Sequence, residues 1–213
     1  MPSLKRPTNA DVIALLTRYR CPTPFHAVRA RFMGCIASPL PDRSPLDAVR
    51  ELWCGDFPRF DAMADLNGLL QALITGLWNR LTAHQIERKP FRLTRLTIAT
   101  AREAVLHHAL VRKQEIEGFL DGLFGSHEGL PLPGSAGNAV EVLGEVRAML
   151  TSAAALLEDA GRPAAPTDLA GLSNNLKDLT LIVETEMNTV ILSCTRARRE
   201  GGARIQQPAT PIN

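Results

Sequence analysis

The chain predicts an all-α fold, a multi-helix bundle with an additional C-terminal helical segment. Three observations carry that prediction: capping signatures recur ahead of apolar runs with helical spacing, no run alternates apolar and polar residues as a half-buried strand does, and glycine or proline closes the periodic segments. At 213 residues, with 45% apolar and 22% charged residues, the chain is long enough to bury a sizeable core.

Taken in order, Thr8-x-x-Asp11 opens a short helix carrying Val12, Ile13, Leu15 and Leu16, because a threonine hydroxyl and an acid three residues on satisfy amides left open by the first turn. Thr23-Pro24 supplies a cap and a first-turn proline for a second helix to about Ala37, which Pro39 and Pro41 end. Ser44-Pro45-Leu46-Asp47 starts a third through Trp53, terminated by Gly55 and Pro58. Leu66, Leu69, Leu70, Leu73, Ile74, Leu77, Trp78 and Leu81 follow helical spacing with one broad buried stripe. Glu87 to Arg95 is a charged connector broken by Pro90, with Phe91 and Leu93 pinning it to the core. A long helix is expected from near Thr97 or Thr100 to Phe124, stopped by Gly125 and the glycine–proline run from Gly129 to Gly137. Asn138-x-x-Glu141 reads as the cap of the next helix, which stops at Gly161 and Pro163. The last begins near Thr167 or Ser173, and Leu169, Leu172, Leu176, Leu179, Val183, Val190 and Cys194 give it a near-heptad seam. The expected organisation is a helical domain over 1–125, a helical pair over 138–200 packed on it or on a second subunit, and a disordered tail over 201–213. Leu70, Leu73, Leu77, Trp78, Phe119 and Leu123 are expected in the core.

No stretch is apolar enough to span a bilayer, and the polar, proline-containing Met1–Ala10 segment carries no export signal, so a cytoplasmic location is expected. Cys21, Cys35, Cys54 and Cys194 lack metal-ligand spacing and read as inert thiols, Cys35 and Cys54 in apolar surroundings. The net charge of +2 conceals segregation: residues 1–31 sum to +5, 32–83 to −2, 84–113 to +5, 114–160 to −7 and 161–213 to +1. Alternating blocks attract one another within a fold or present separate faces, and differ from the sustained basic excess of a dedicated nucleic-acid binder.

At Phe32-Met33-Gly34-Cys35-Ile36 with Pro39, Leu52-Trp53 with Gly55, Leu77-Trp78-Asn79 and Gly118-Phe119-Leu120-Asp121-Gly122-Leu123, the chain resembles the YecA/YgfB-like family of small bacterial helical proteins over roughly Phe25 to Phe124. Ala30-Arg31 stands where that family usually carries His-Gly, as in a distant member. Only Cys194 follows Cys54 in this sequence, so the cysteine- and histidine-rich zinc segment of many relatives is absent. The resemblance implies a helical domain acting through other macromolecules, with no catalytic residue to carry over.

Gly118 and Gly122, like Gly34, fall inside predicted helices, where each costs about 1 kcal/mol relative to alanine. Close helix crossing recovers that cost; a shallow groove for a partner helix at Gly118 and Gly122 is the sharper alternative. His107 and His108 are adjacent and point about 100° apart on a helix, and Glu103 with His107 lacks the second Glu-x-x-His unit of a helix-bundle metal site. No nucleophile has a locally evident base, so no catalytic, metal or cofactor residue is assigned and no cofactor is expected. Two basic segments are candidate polyanion contacts: Arg88, Lys89, Arg92, Arg95 and Arg102, and then Arg196, Arg198 and Arg199 with Arg204 beyond. The expectation is therefore a non-catalytic adaptor or regulatory protein recognising another protein, with a homodimer through the last helix. A nucleic-acid-associated regulator is the alternative and an uncharacterised enzyme the third reading.

Overall fold

The computed structural model describes residues 7–40, 43–97, 100–127, 129–159, 161 and 165–205, with side chains described to residue 200. It is all-helical, with no strand among the described residues. The helices are α1 (Asn9–Arg18), α2 (Phe25–Ala37), α3 (Pro45–Arg50) with a 3-10 turn over Glu51–Trp53, α4 (Met63–Leu70), α5 (Asn79–Leu81), α6 (Arg102–Phe124), α7 (Gly134–Glu158) and α8 (Pro166–Ile205).

Thr8 and Asp11 form the expected capping box on α1, and the Ser44 hydroxyl accepts from the Asp47 amide at the start of α3. Other ends differ. Pro24 itself occupies the cap position of α2 with no side-chain hydrogen bond, one residue beyond the expected Thr23. α7 begins at Gly134, directly after Pro133, so Asn138 lies inside the helix rather than capping it. α6 starts at Arg102, slightly later than expected, and stops at Gly125, where φ is +58°. α8 runs through Ile205, so 201–205 continue the helix instead of opening a tail; residues 206–213 of the expected tail lie outside the described residues.

The leucine-striped segment is continuous, but its middle, Gln71–Trp78, winds as a π-helix. The wider i→i+5 turn brings every fourth residue to one face, and the buried leucines are Leu69, Leu73, Leu77 and Leu81. Leu70, expected in the core from a 3.6-residue period, is consequently half-buried. Trp78, Phe119 and Leu123 are buried as expected, and Phe32 meets Trp78 edge-on at 5.4 Å.

α2 is the centre of the molecule. A helix buried on nearly every side must be surrounded, and from Phe32 to Ala37 every residue of α2 is buried. α6 runs beside it in the same direction, because a side chain built at Gly118 would meet Ala27 and one at Gly122 would meet Arg31. α7 returns antiparallel: Arg102 at the start of α6 donates to the Leu157 and Asp159 carbonyls at the end of α7. α8 returns again, Ser193 near its end meeting Ser135 near the start of α7. One core cluster runs from Val12 to Cys194 without a break at the glycine–proline run.

Candidate functional site

After a 3-10 turn at Thr82–His84 and a second turn closed by the Lys89 amide on the Ile86 carbonyl, the connector between α5 and α6 becomes a strap that lies against the bundle, with Phe91 and Leu93 buried and Arg92 between them exposed. Among the described residues it has no neighbouring strand, and helix side chains satisfy its buried peptide groups. Asn188 of α8 accepts from the Phe91 amide at 2.8 Å and donates to its carbonyl at 3.0 Å. Glu184, one turn earlier, accepts from the Leu93 amide at 2.9 Å and pairs with Arg92 at 2.7 Å. Glu115 of α6 accepts from the Thr94 amide at 2.8 Å, while Arg112 donates to the Thr94 carbonyl at 2.6 Å. From α2, Arg29 donates to the Arg92 carbonyl at 3.0 Å and lies over the Phe91 ring. Arg112 and Glu115 pair with each other and are both buried, which a charge pair tolerates when its remaining hydrogen bonds are also made. Thr180 of α8 accepts from Arg112 at 3.0 Å and lies 3.2 Å from His108. Burial, with Arg112 and His107 nearby, pushes the His108 imidazole down to about 4.

The basic residues singled out from sequence do not converge. Arg102 is spent on the carbonyls closing α7. Arg198 donates to the Ile36 carbonyl closing α2 at 2.7 Å and to Gln85 at 3.0 Å. Arg92 is paired with Glu184, whereas Arg88, Lys89, Arg95, Arg196 and Arg199 are exposed. Arg43 closes α6 in the same manner, donating to the Gly122 carbonyl at 2.8 Å and pairing with Glu51 at 3.0 Å. Arg43 and Arg198 line a cavity of about 270 Å³ with Trp78 and Gln85, but their charge already faces two helix C-termini and Glu51.

Gly118 and Gly122 form no open groove. A Cβ at Gly122 would lie 2.0 Å from the Arg31 carbonyl oxygen, one at Gly118 2.6 Å from that of Ala27, and one at Gly34 2.0 Å from that of Phe119. The absent side chains are what let α2 and α6 touch, so α2 itself fills the face offered to a partner. Cys54 is likewise exposed in the left-handed conformation, φ +61°, instead of packed among apolar residues. Burial pushes the Cys35 and Cys194 thiols up to about 11, which keeps both neutral. Among the described residues no group of histidines, cysteines and carboxylates could hold a metal ion.

α8 carries two faces of different fate. The near-heptad seam expected to pair with a second chain is consumed internally: Leu176, Val183, Val190 and Cys194, with Met187 and Ile191, are buried within the chain. The opposite face was not read from sequence, although its signal is there. Asp178, Ile182, Thr185, Thr189, Leu192 and Arg196 recur at alternating spacings of four and three, a second heptad stripe. Ile182 is 40% exposed and its neighbour Leu181 61%. A groove of about 380 Å³ runs along this side of α8, walled by Pro90 and Arg92 of the strap.

No described helix is long and apolar enough to cross a membrane. Comparison with family models, curated proteins and solved structures finds no match to this chain.

Proposed function

We propose that the protein is a non-catalytic adaptor or regulatory protein, working in the cytoplasm, that engages another polypeptide along the outer face of α8. The observation carrying this reading is the double character of α8: one heptad seam is covered by the chain, and the other, with Leu181 and Ile182 exposed, borders a groove. Exposed apolar side chains beside a groove suit a helix-in-groove contact. The distribution of charge supports the same reading, since Arg29, Arg43, Arg102, Arg112 and Arg198 all donate to backbone carbonyls. Four free thiols suit a reducing compartment. The likeness to the YecA/YgfB-like family belongs to the same proposal, and the meeting of Gly34 with the Phe119–Leu123 turn supports it by giving the motif glycines a shared purpose. A second reading, contact with nucleic acid, rests on Arg88, Lys89 and Arg95, which stay exposed on and beside the strap.

Photo-crosslinking tests the first reading. A benzophenone side chain at Ile182 should capture another protein, identified by mass spectrometry, in the cell of origin. The same group at Met63, 70% exposed on α4, should not. Equal capture from both positions, or none from Ile182, would overturn it.

A further inference from the structure

We infer that the polypeptide covering the outer face of α8 when no other does is a second copy of this chain, paired antiparallel about a two-fold axis that crosses the outer face midway between Thr185 and Thr189. The inference rests on the proposed use of that face and adds the occupant.

The order of residues along the stripe carries it. An antiparallel pairing centred at position 187 sets Thr185 opposite Thr189 of the other copy, Ile182 opposite Leu192, and Asp178 opposite Arg196. Each contact occurs twice, as an isologous interface requires. Apolar residues meet apolar ones, small hydroxyl residues meet near the axis where two helices approach most closely, and opposite charges meet at both ends. A parallel pairing would instead set Asp178 against Asp178 and Arg196 against Arg196, which like-charge repulsion disfavours. The stripe spans roughly 27 Å of helix at 1.5 Å per residue. Leu181 and the strap residues Pro90 and Arg92 lie alongside it and widen the contact.

The face is also positioned for this use. The inner seam of α8 is spent on the chain's own core, and Glu184 and Asn188 beside the stripe are spent on the strap. Neither is needed by a second copy. No rearrangement of the bundle is required, so the pairing is a rigid-body association.

Light scattering of the intact protein across the micromolar range tests the inference. The wild-type chain should reach twice its monomer mass, and Ile182→Asp should hold it at the monomer mass. Because Ile182 is partly exposed, its replacement should leave the helical circular dichroism unchanged; if that variant unfolds, Thr185→Glu, at an exposed position, replaces it with the same expected result. Asp178→Arg and Arg196→Asp should each weaken the dimer at least tenfold, and the two together should restore it. A monomeric wild type, a dimer indifferent to Ile182→Asp, or single charge reversals without rescue in the double variant each overturn the inference. The crosslinking result separates this from the proposed function: a monomer that still captures another protein at Ile182 refutes the second copy alone. A dimer that captures no other protein refutes the adaptor alone.

Discussion

The contact between α2 and α6 and the seat of the strap solve opposite problems in opposite ways. Between the two helices, backbone meets backbone because three side chains are missing, at Gly34, Gly118 and Gly122. Around the strap, backbone meets side chain because five polar residues, Arg29, Arg112, Glu115, Glu184 and Asn188, replace the neighbouring strand that an extended segment ordinarily needs. The first contact depends above all on shape, with the Arg31–Asp121 pair and the His26–Gln114 contact beside it. The second depends on charge and hydrogen bonding, with Phe91 and Leu93 supplying its apolar footing.

Removing one member of the buried pair should separate the two regions most sharply. Glu115→Ala leaves Arg112 charged and buried and the Thr94 amide without its acceptor, an expected loss of about 3–5 kcal/mol in urea denaturation. A loss below about 1 kcal/mol would mean that water reaches the strap's polar seat. At the helix crossing, Gly122→Ala forces a methyl into the Arg31 carbonyl, and the expected cost is about 3 kcal/mol even after the gain in helix propensity. The same change at Gly144, in α7 with nothing within 4 Å of the added carbon, should stabilise by up to about 1 kcal/mol. Equal responses at the two glycines would refute the close crossing.

A pH dependence should be confined to the strap side. Because the folded state holds His108 near 4, below its ordinary 6.5, the unfolded chain takes up a proton first as pH falls. Stability is then complete above about 6.5 and declines toward 4, by about 3 kcal/mol in all. Thermal denaturation of the wild type and of His108→Gln over that interval measures it. The variant should lose the histidine's part of the slope, and identical slopes would place the imidazole in solvent.

Much of the fold was legible because the signals were local. Thr8 with Asp11, Ser44 with Asp47, and Gly125 announce helix ends within a few residues of one another. Reading failed where distant partners decide. Leu70 sits at the edge of the core, half-buried, where the π-helical turn changes the period, and Asn138 lost its capping role because Pro133 starts α7 earlier. Arg102 and Arg198 looked like free positive charge, yet each answers helix-end carbonyls far along the chain. The charge stripe on α8 was visible as spacing, but only the burial of the other seam marks it as the face left over. For the strap, Glu184 and Asn188 stand more than 90 residues from the amides that they serve, and no pattern within the connector points to them.

That separation has a consequence for synthesis. As the chain leaves the ribosome, α1 to α6 can gather around α2, but the amides of Phe91 and Leu93 have no partners until α8 has emerged and docked. The bonds to Phe91 and Leu93 therefore form late, after nearly the whole polypeptide exists, whereas Arg29, Arg112 and Glu115 can hold the Arg92 and Thr94 peptide groups earlier. A chain released early is left with a partly bare edge in the middle of its sequence, where a chaperone or a protease finds an incompletely paired segment.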